Sequence, residues 1–190
     1  MLQKIICYGD SNTYGYDASD VFGGPLPQEQ RWPFLLGKAL ACETVNCGMN
    51  GRTVPRYPRS TEADMRLLGR YSDCDLIIVM LGTNDLLLGF GVENTVDAMR
   101  EYLSMLQRTM PGCAILLTAP PPAEACPDGC DADFEELAAE YSRLAAELGL
   151  HFADASRWDI ETACDGVHFS TQGHRCFADR MAETIRRINL

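Results

Sequence analysis

Short, almost continuously apolar runs alternate along the chain with stretches in which apolar residues recur every three or four positions. The first pattern reads as strands covered on both faces, the second as helices burying one stripe. Strands are expected over residues 3–8, 43–47, 75–81, 114–118 and 151–153, with Leu76-Ile77-Ile78-Val79-Met80-Leu81 the longest apolar run among them. Val92, Val96, Met99, Leu103, Leu106 and Met110 mark one helix. Phe134, Leu137, Tyr141, Leu144 and Leu148 mark a second, with Asp133 and Glu136 resembling a capping box and Gly149 a stop. Phe177, Met181, Ile185 and Ile188 mark the last, and shorter helices are expected over 31–41 and 61–71, the latter opened by Thr61 with Asp64 three residues on. Regular alternation of strand and helix predicts an α/β fold, a parallel sheet with helices on both sides. No repeat or linker interrupts the 190 residues, so a single domain over residues 1–190 is expected.

Composition narrows the partners. With 16 basic and 27 acidic residues the formal charge is −11, which leaves no phosphate-neutralising surface and disfavours nucleic acid and anionic membranes. No apolar run approaches the roughly 18 residues of a membrane span, and the interrupted start Met1-Leu2-Gln3-Lys4 does not read as a signal peptide, so a cytoplasmic location is expected. The nine cysteines are odd in number and scattered, which argues against a complete disulfide framework and fits a reducing compartment. Only Cys126 and Cys130 lie close enough in sequence to suggest a local bridge or half a metal site, and no histidine is near them.

The loops that follow the strands carry the candidate chemistry, at the edge of an open parallel sheet where ligands bind. Gly9-Asp10-Ser11-Asn12 comes directly after the first strand; alone, it reads more readily as ordinary turn chemistry. The second strand ends in Asn46-Cys47-Gly48-Met49-Asn50-Gly51 and the third in Gly82-Thr83-Asn84-Asp85. Adjacent strands thus bring a hydroxyl, a glycine N–H and a carboxamide to one edge, the groups that acyl transfer needs for nucleophile and oxyanion donors. Near the C-terminus Asp165-Gly166-Val167-His168 places a carboxylate three residues before an imidazole, which suits a base and its orienting partner. A capped helix start, with Ser170 and Thr171 following, is the plainer account of that tetrapeptide taken alone.

Taken together, these four blocks resemble the SGNH hydrolases, the GDSL-type esterases and acylhydrolases, over nearly the whole chain. The resemblance implies a three-layer, five-stranded, flavodoxin-like sheet and an ester hydrolase that uses no cofactor and no metal. It further implies Ser11 as nucleophile, Asp165 and His168 completing a triad, and an oxyanion hole from Ser11, Gly48 and Asn84; Gly173 fits the last block. Asn12 stands where the family's name-giving motif has Leu. The run Asn12-Thr13-Tyr14-Gly15, Arg31-Trp32 and the Asn84-Asp85 block look most like an arylesterase subgroup that is often oligomeric, so a homo-oligomer acting on small-molecule esters is expected. Short acyl esters of aryl alcohols or of sugars are the expected substrates, because short insertions leave little material for a lid. Transfer to an alcohol or peroxide acceptor is the alternative. A metallophosphoesterase would need more than the three histidines present, and a mere binding module would be expected to lack a triad member.

Tyr14, Tyr16, Phe22, Leu86, Leu87, Leu88, Phe90 and Trp158 are candidate pocket residues, of which Tyr14, Leu86 and Trp158 are taken as substrate contacts; ordinary packing is the competing account. Arg52, Arg56 and Arg59 are expected on a solvated or subunit-contacting loop, with an anion site as the alternative. His151 and His174 are expected to be structural.

Overall fold

The computed structural model describes residues 2–126 and 130–188 of the chain. Its strands, β1 (Lys4–Gly9), β2 (Glu43–Gly48), β3 (Leu76–Met80), β4 (Ala114–Ala119) and β5 (His151–Asp154), form one sheet in the order β2-β1-β3-β4-β5. Every neighbouring pair is parallel. This is the flavodoxin-like order, in which the chain reverses its direction of travel across the sheet between β1 and β3 and leaves a crevice at their carboxyl ends. The helices are α1 (Ser11–Tyr14), α2 (Trp32–Leu40), α3 (Pro58–Leu68), α4 (Thr83–Leu87), α5 (Val92–Thr109), α6 (Cys130–Leu148) and α7 (Thr171–Ile188).

The apolar runs are continuous because both faces of the sheet are covered, and successive residues serve opposite cores. Ile6, Tyr8, Ile77, Val79, Ile115 and Leu117 pack with Met99, Leu103 and Leu106 of α5 and Leu137, Tyr141 and Leu144 of α6. Ile5, Cys7, Leu76, Ile78, Met80 and Leu116 face the other way, onto Trp32 and Leu36 of α2 and Phe177, Met181 and Ile185 of α7. The three layers expected from the alternation follow directly from this two-residue period.

Several boundaries differ from the sequence reading. Helix α3 starts at Pro58, with Tyr57 as its N-cap residue, rather than at Thr61. Proline is suited to the first turn because its missing N–H is not needed there, while Thr61 Oγ1 donates back to the Tyr57 carbonyl and Asp64 accepts from Tyr8 Oη. Helix α6 begins at Cys130, ahead of the Asp133 and Glu136 pair. Helices α1 and α4 were not anticipated, since four or five residues are too few to show a period.

The cysteines also depart from expectation. Cys74 and Cys113, at the entries to β3 and β4, form a disulfide across a sequence separation of 39, a pairing that their spacing did not suggest, while Cys7, Cys42, Cys47, Cys164 and Cys176 are free thiols. Cys126 is disulfide-bonded as well; the side chain of Cys130 lies outside the described residues. Among the described residues no helix is long and apolar enough to cross a membrane.

His174 on α7 is fully buried, and its Nδ1 accepts from the backbone N–H of Trp32 at 3.3 Å. Burial, helped by Arg31 and His168, lowers its pKa from 6.5 to about 4. As the pH falls through that window the unfolded chain takes up a proton that the folded chain refuses. The stability contributed by a neutral His174 is therefore complete above about 6.5 and declines by about 3 kcal/mol on reaching pH 4. Asp10 and Asp85, both raised to about 6 by burial, slope the opposite way over the same range. Only a difference between variants isolates the histidine. Urea unfolding of wild type and His174→Gln should therefore show a stability gap that shifts by about 3 kcal/mol in favour of the variant between pH 7.5 and pH 4; a gap independent of pH would assign the acid sensitivity elsewhere.

Candidate active site

Strand β1 ends at Gly9, paired in register with Gly48 at the end of β2. A Cβ on Gly9 would come within 2.2 Å of Thr13 Oγ1, and one on Gly48 within 2.0 Å of the Tyr14 backbone nitrogen. Both positions are glycine because the short helix α1 lies directly on the strand ends. Asp10 caps that helix, accepting the Asn12 N–H on Oδ1 at 2.9 Å, and so places Ser11 at its first position. Asp10 is 1% exposed; burial raises its carboxyl pKa to about 6, against the pull of the Asn12 N–H and of His168 and Arg52.

Ser11 Oγ lies 2.9 Å from His168 Nε2, and His168 Nδ1 lies 2.5 Å from Asp165 Oδ2. The other carboxylate oxygen, Asp165 Oδ1, accepts the backbone N–H groups of Val167 and His168 at 3.0 Å each. Burial pushes the Asp165 carboxyl up, but the hydrogen bonds from the His168 ring and from these two amides together hold it below its ordinary value. An ionised Asp165 at Nδ1 fixes the imidazole tautomer with Nε2 as acceptor for the serine proton. The ring of Tyr16 packs against the imidazole, 4.3 Å between centroids.

Asn84 on α4 donates one N–H of its carboxamide to the Arg52 carbonyl at 3.1 Å, leaving its second N–H available. The loop that carries this carbonyl is fastened by two buried charges. Arg52, 7% exposed, donates from one guanidinium nitrogen to the carbonyls of Gly9 at 2.7 Å and Cys47 at 2.5 Å and lies over the Tyr8 ring. Asp85, fully buried, accepts the Val54 N–H and pairs with Arg56, which itself covers the Phe90 ring. Burial raises the Asp85 pKa to about 6, opposed by the Val54 N–H and Arg56.

The expected site residues meet different fates. Ser11, Asp165 and His168 come together, and Asn84 sits at the end of the strand beside β1. The Gly48 N–H, expected as an oxyanion donor, is instead donated to Asn46 Oδ1 at 2.9 Å, and the demand for glycine at that position comes from the packing of α1. Leu86 is buried in the α5 and α6 core, and half-buried Trp158 packs at a tilt against Phe177, 5.2 Å between ring centroids, so both serve packing. Phe22 is 95% exposed. Tyr14 ends α1 half-buried. Arg52 and Arg56 are structural, unlike the solvated loop expected, because each is committed to carbonyls or to Asp85; only Arg59 is exposed. The signal missed in the sequence was Asp64 and Asp85, carboxylates at suitable distances to hold those arginines.

A cavity of about 270 Å³ lies behind Tyr16, bounded by Leu26, Cys164 and Phe169, and another of about 230 Å³ lies along the Met49, Val54 and Tyr57 side of the anchored loop. A cleft of about 630 Å³ lies between α6 and the end of β5, and none of these three is lined by Ser11, Asp165 or His168. Among the described residues no group of three or more His, Cys, Asp or Glu side chains could share a metal ion.

Residues 7–176 match the GDSL-like lipase/acylhydrolase family. No curated protein matches the chain. Solved structures do. A protein from Agrobacterium tumefaciens str. C58 assigned as an arylesterase is 30% identical, with TM-score 0.83 and coverage of 98% of this chain and 100% of that one. A carbohydrate acetylesterase family member from Sinorhizobium meliloti is 29% identical (TM-score 0.82, 98% and 99% covered), and the aryl esterase of M. Smegmatis 27% identical (TM-score 0.82, 97% and 99% covered). The chain belongs to the GDSL-like lipase/acylhydrolase family. It is an esterase of the carboxylic ester hydrolase class.

Proposed function

We propose that the chain acts as one catalytic domain, a serine esterase that cleaves short acyl esters of aryl alcohols or sugars through an acyl-enzyme on Ser11. The observation that carries this reading is the unbroken line from Ser11 Oγ through both nitrogens of His168 to Asp165, at 2.9 and 2.5 Å. In the first half-reaction Ser11 Oγ bonds to the ester carbonyl carbon as its proton passes to His168 Nε2. Collapse of the tetrahedral adduct breaks the bond to the alcohol oxygen, which leaves with that proton. Water then adds to the acyl-enzyme, gives a proton to Nε2, and releases the carboxylic acid as the proton returns to Ser11. Asp165 stays ionised and orients the ring throughout.

The developing oxyanion is held by the Ser11 N–H and by the second N–H of Asn84. A Gly48 contribution would require Asn46 to release the N–H it holds, and this reading does not need it. The choice of short acyl groups rests on the short insertions between the elements, which leave little material for a lid or a long acyl tunnel. The aryl or sugar alcohol side is suggested by the neighbours from M. Smegmatis and Sinorhizobium meliloti. Self-association is part of the same reading, because Val21 and Phe22 are 94% and 95% exposed and Leu88 also faces solvent.

A fluorophosphonate should label Ser11 and no other serine, and Ser11→Ala should abolish both labelling and turnover of p-nitrophenyl acetate; labelling that survives the substitution would refute the nucleophile. Asn84→Ala should remain folded and still be labelled, yet lose about 10² to 10³ in kcat with little change in KM, because the donated bond strengthens only as charge develops. Retention of more than about a third of wild-type kcat, far outside that range, would place the oxyanion donors elsewhere. In light scattering the particle should weigh a multiple of 21.0 kDa, and the monomer mass across a concentration series would remove self-association.

A further inference from the structure

The carboxamide of Asn12 reaches the backbone on both sides of His168. Its Oδ1 accepts the N–H of Phe169 at 2.8 Å, and its Nδ2 donates to the carbonyl of Val167 at 3.2 Å. These contacts join residues more than 150 positions apart in sequence, and Asn12 is 6% exposed. The backbone of Asn12 is itself fixed, its N–H held by Asp10 Oδ1. One residue therefore ties the helix that presents Ser11 to the segment that presents His168, immediately next to each.

Other contacts hold that segment from within. Ala125 N–H donates to Gly166 O, Ala163 N–H donates to the His168 carbonyl at 2.6 Å, and Thr162 bridges Phe169 inside the loop. Phe169 inserts its ring between His174 and Phe177. These hold the loop to itself and to α7, whereas the two bonds from Asn12 tie the peptide groups that flank the imidazole to the helix that presents Ser11. With Asp165 gripping the Val167 and His168 amides from one side, Asn12 grips the opposite polar groups from the other. Where the GDSL motif has Leu, this chain has a side chain able to make both bonds.

We propose that Asn12 is a positioning residue for catalysis, a two-point clamp that sets the distance and angle between His168 Nε2 and Ser11 Oγ. This rests on the esterase reading above. The requirement for placement is severe, since a misplacement of about 1 Å can cost about 100-fold in rate. Leu keeps the branched skeleton of Asn, with bulkier methyl ends, and removes both hydrogen bonds. Asn12→Leu should lower kcat for p-nitrophenyl acetate by about 10- to 100-fold, with KM within about threefold and the rate of fluorophosphonate labelling at Ser11 reduced in proportion. Asn12→Asp keeps the acceptor for Phe169 but not the donor to Val167, and should fall between Leu and wild type.

The clamp also has a signature that needs no turnover. The proton between His168 Nδ1 and Asp165 should give a downfield resonance in the wild-type protein, and this should broaden or shift in Asn12→Leu. A lowered Tm with kcat and this resonance both unchanged would show a merely structural residue and overturn the proposal, as would Asn12→Leu within threefold of wild type in kcat and labelling. Should Asn12→Leu fail to fold, Asn12→Asp carries the same two readouts. Wild-type protein that is not labelled at Ser11 would instead refute the esterase reading, and the clamp would then be judged on the resonance alone.

Discussion

The site depends on how closely a four-residue helix approaches the sheet. With Gly9 and Gly48 side by side at the ends of β1 and β2, α1 lies where two Cβ atoms would otherwise be, at separations near 2 Å that no packing adjustment absorbs when the partner atom is backbone. From this contact the other features follow. Asp10 is buried because the helix it caps is pressed against the strands, and Ser11 emerges at the carboxyl edge rather than inside a loop. The order β2-β1-β3 then brings Asn84 alongside, since β3 is the neighbour of β1 on the other side.

Buried charge holds the loop that links these parts. Leaving one member of a buried ion pair without its partner costs about 3 to 5 kcal/mol, so Asp85 and Arg56, once enclosed, must stay paired. Arg52 meets the same demand differently, with two carbonyls, the Asp64 carboxylate at 3.7 Å and the face of Tyr8. Its guanidinium draws together the Gly9 and Cys47 carbonyls at the ends of β1 and β2, while its own carbonyl receives the Asn84 amide. A residue that in sequence suggested a solvent-facing or anion-binding arginine thus orients the Asn84 carboxamide from beneath.

Elements with long periods were legible in the sequence. The strands, α5 and α7 are long enough for the two- or three-to-four-residue pattern to override local ambiguity, and the order of the four motif blocks singled out Ser11, Asp165 and His168, which the fold brings into contact. Short helices α1 and α4 have no period to read, and Pro58 starts α3 through a conformational preference rather than through hydrophobic patterning. Pocket residues were the least legible. Leu86 and Trp158 have the composition of a binding surface and of a core alike, and only the three-dimensional neighbours, α5 and α6 for one and Phe177 for the other, decide between them. The disulfide Cys74–Cys113 was hidden for a similar reason: parallel strands bring together residues 39 apart.

The polar residue at position 12 is tolerable because both its carboxamide oxygen and its nitrogen find backbone partners. A buried amide left without partners costs about 1 to 3 kcal/mol, whereas one with both ends bonded is close to neutral. At Asn12 the acceptor and a donor each find a backbone group, and those two groups would themselves be exposed to the same penalty without it. An apolar side chain in this chain would strand the Val167 carbonyl and the Phe169 N–H unless the loop shifted to rebond them. A shift of that loop moves His168, because it lies between the two.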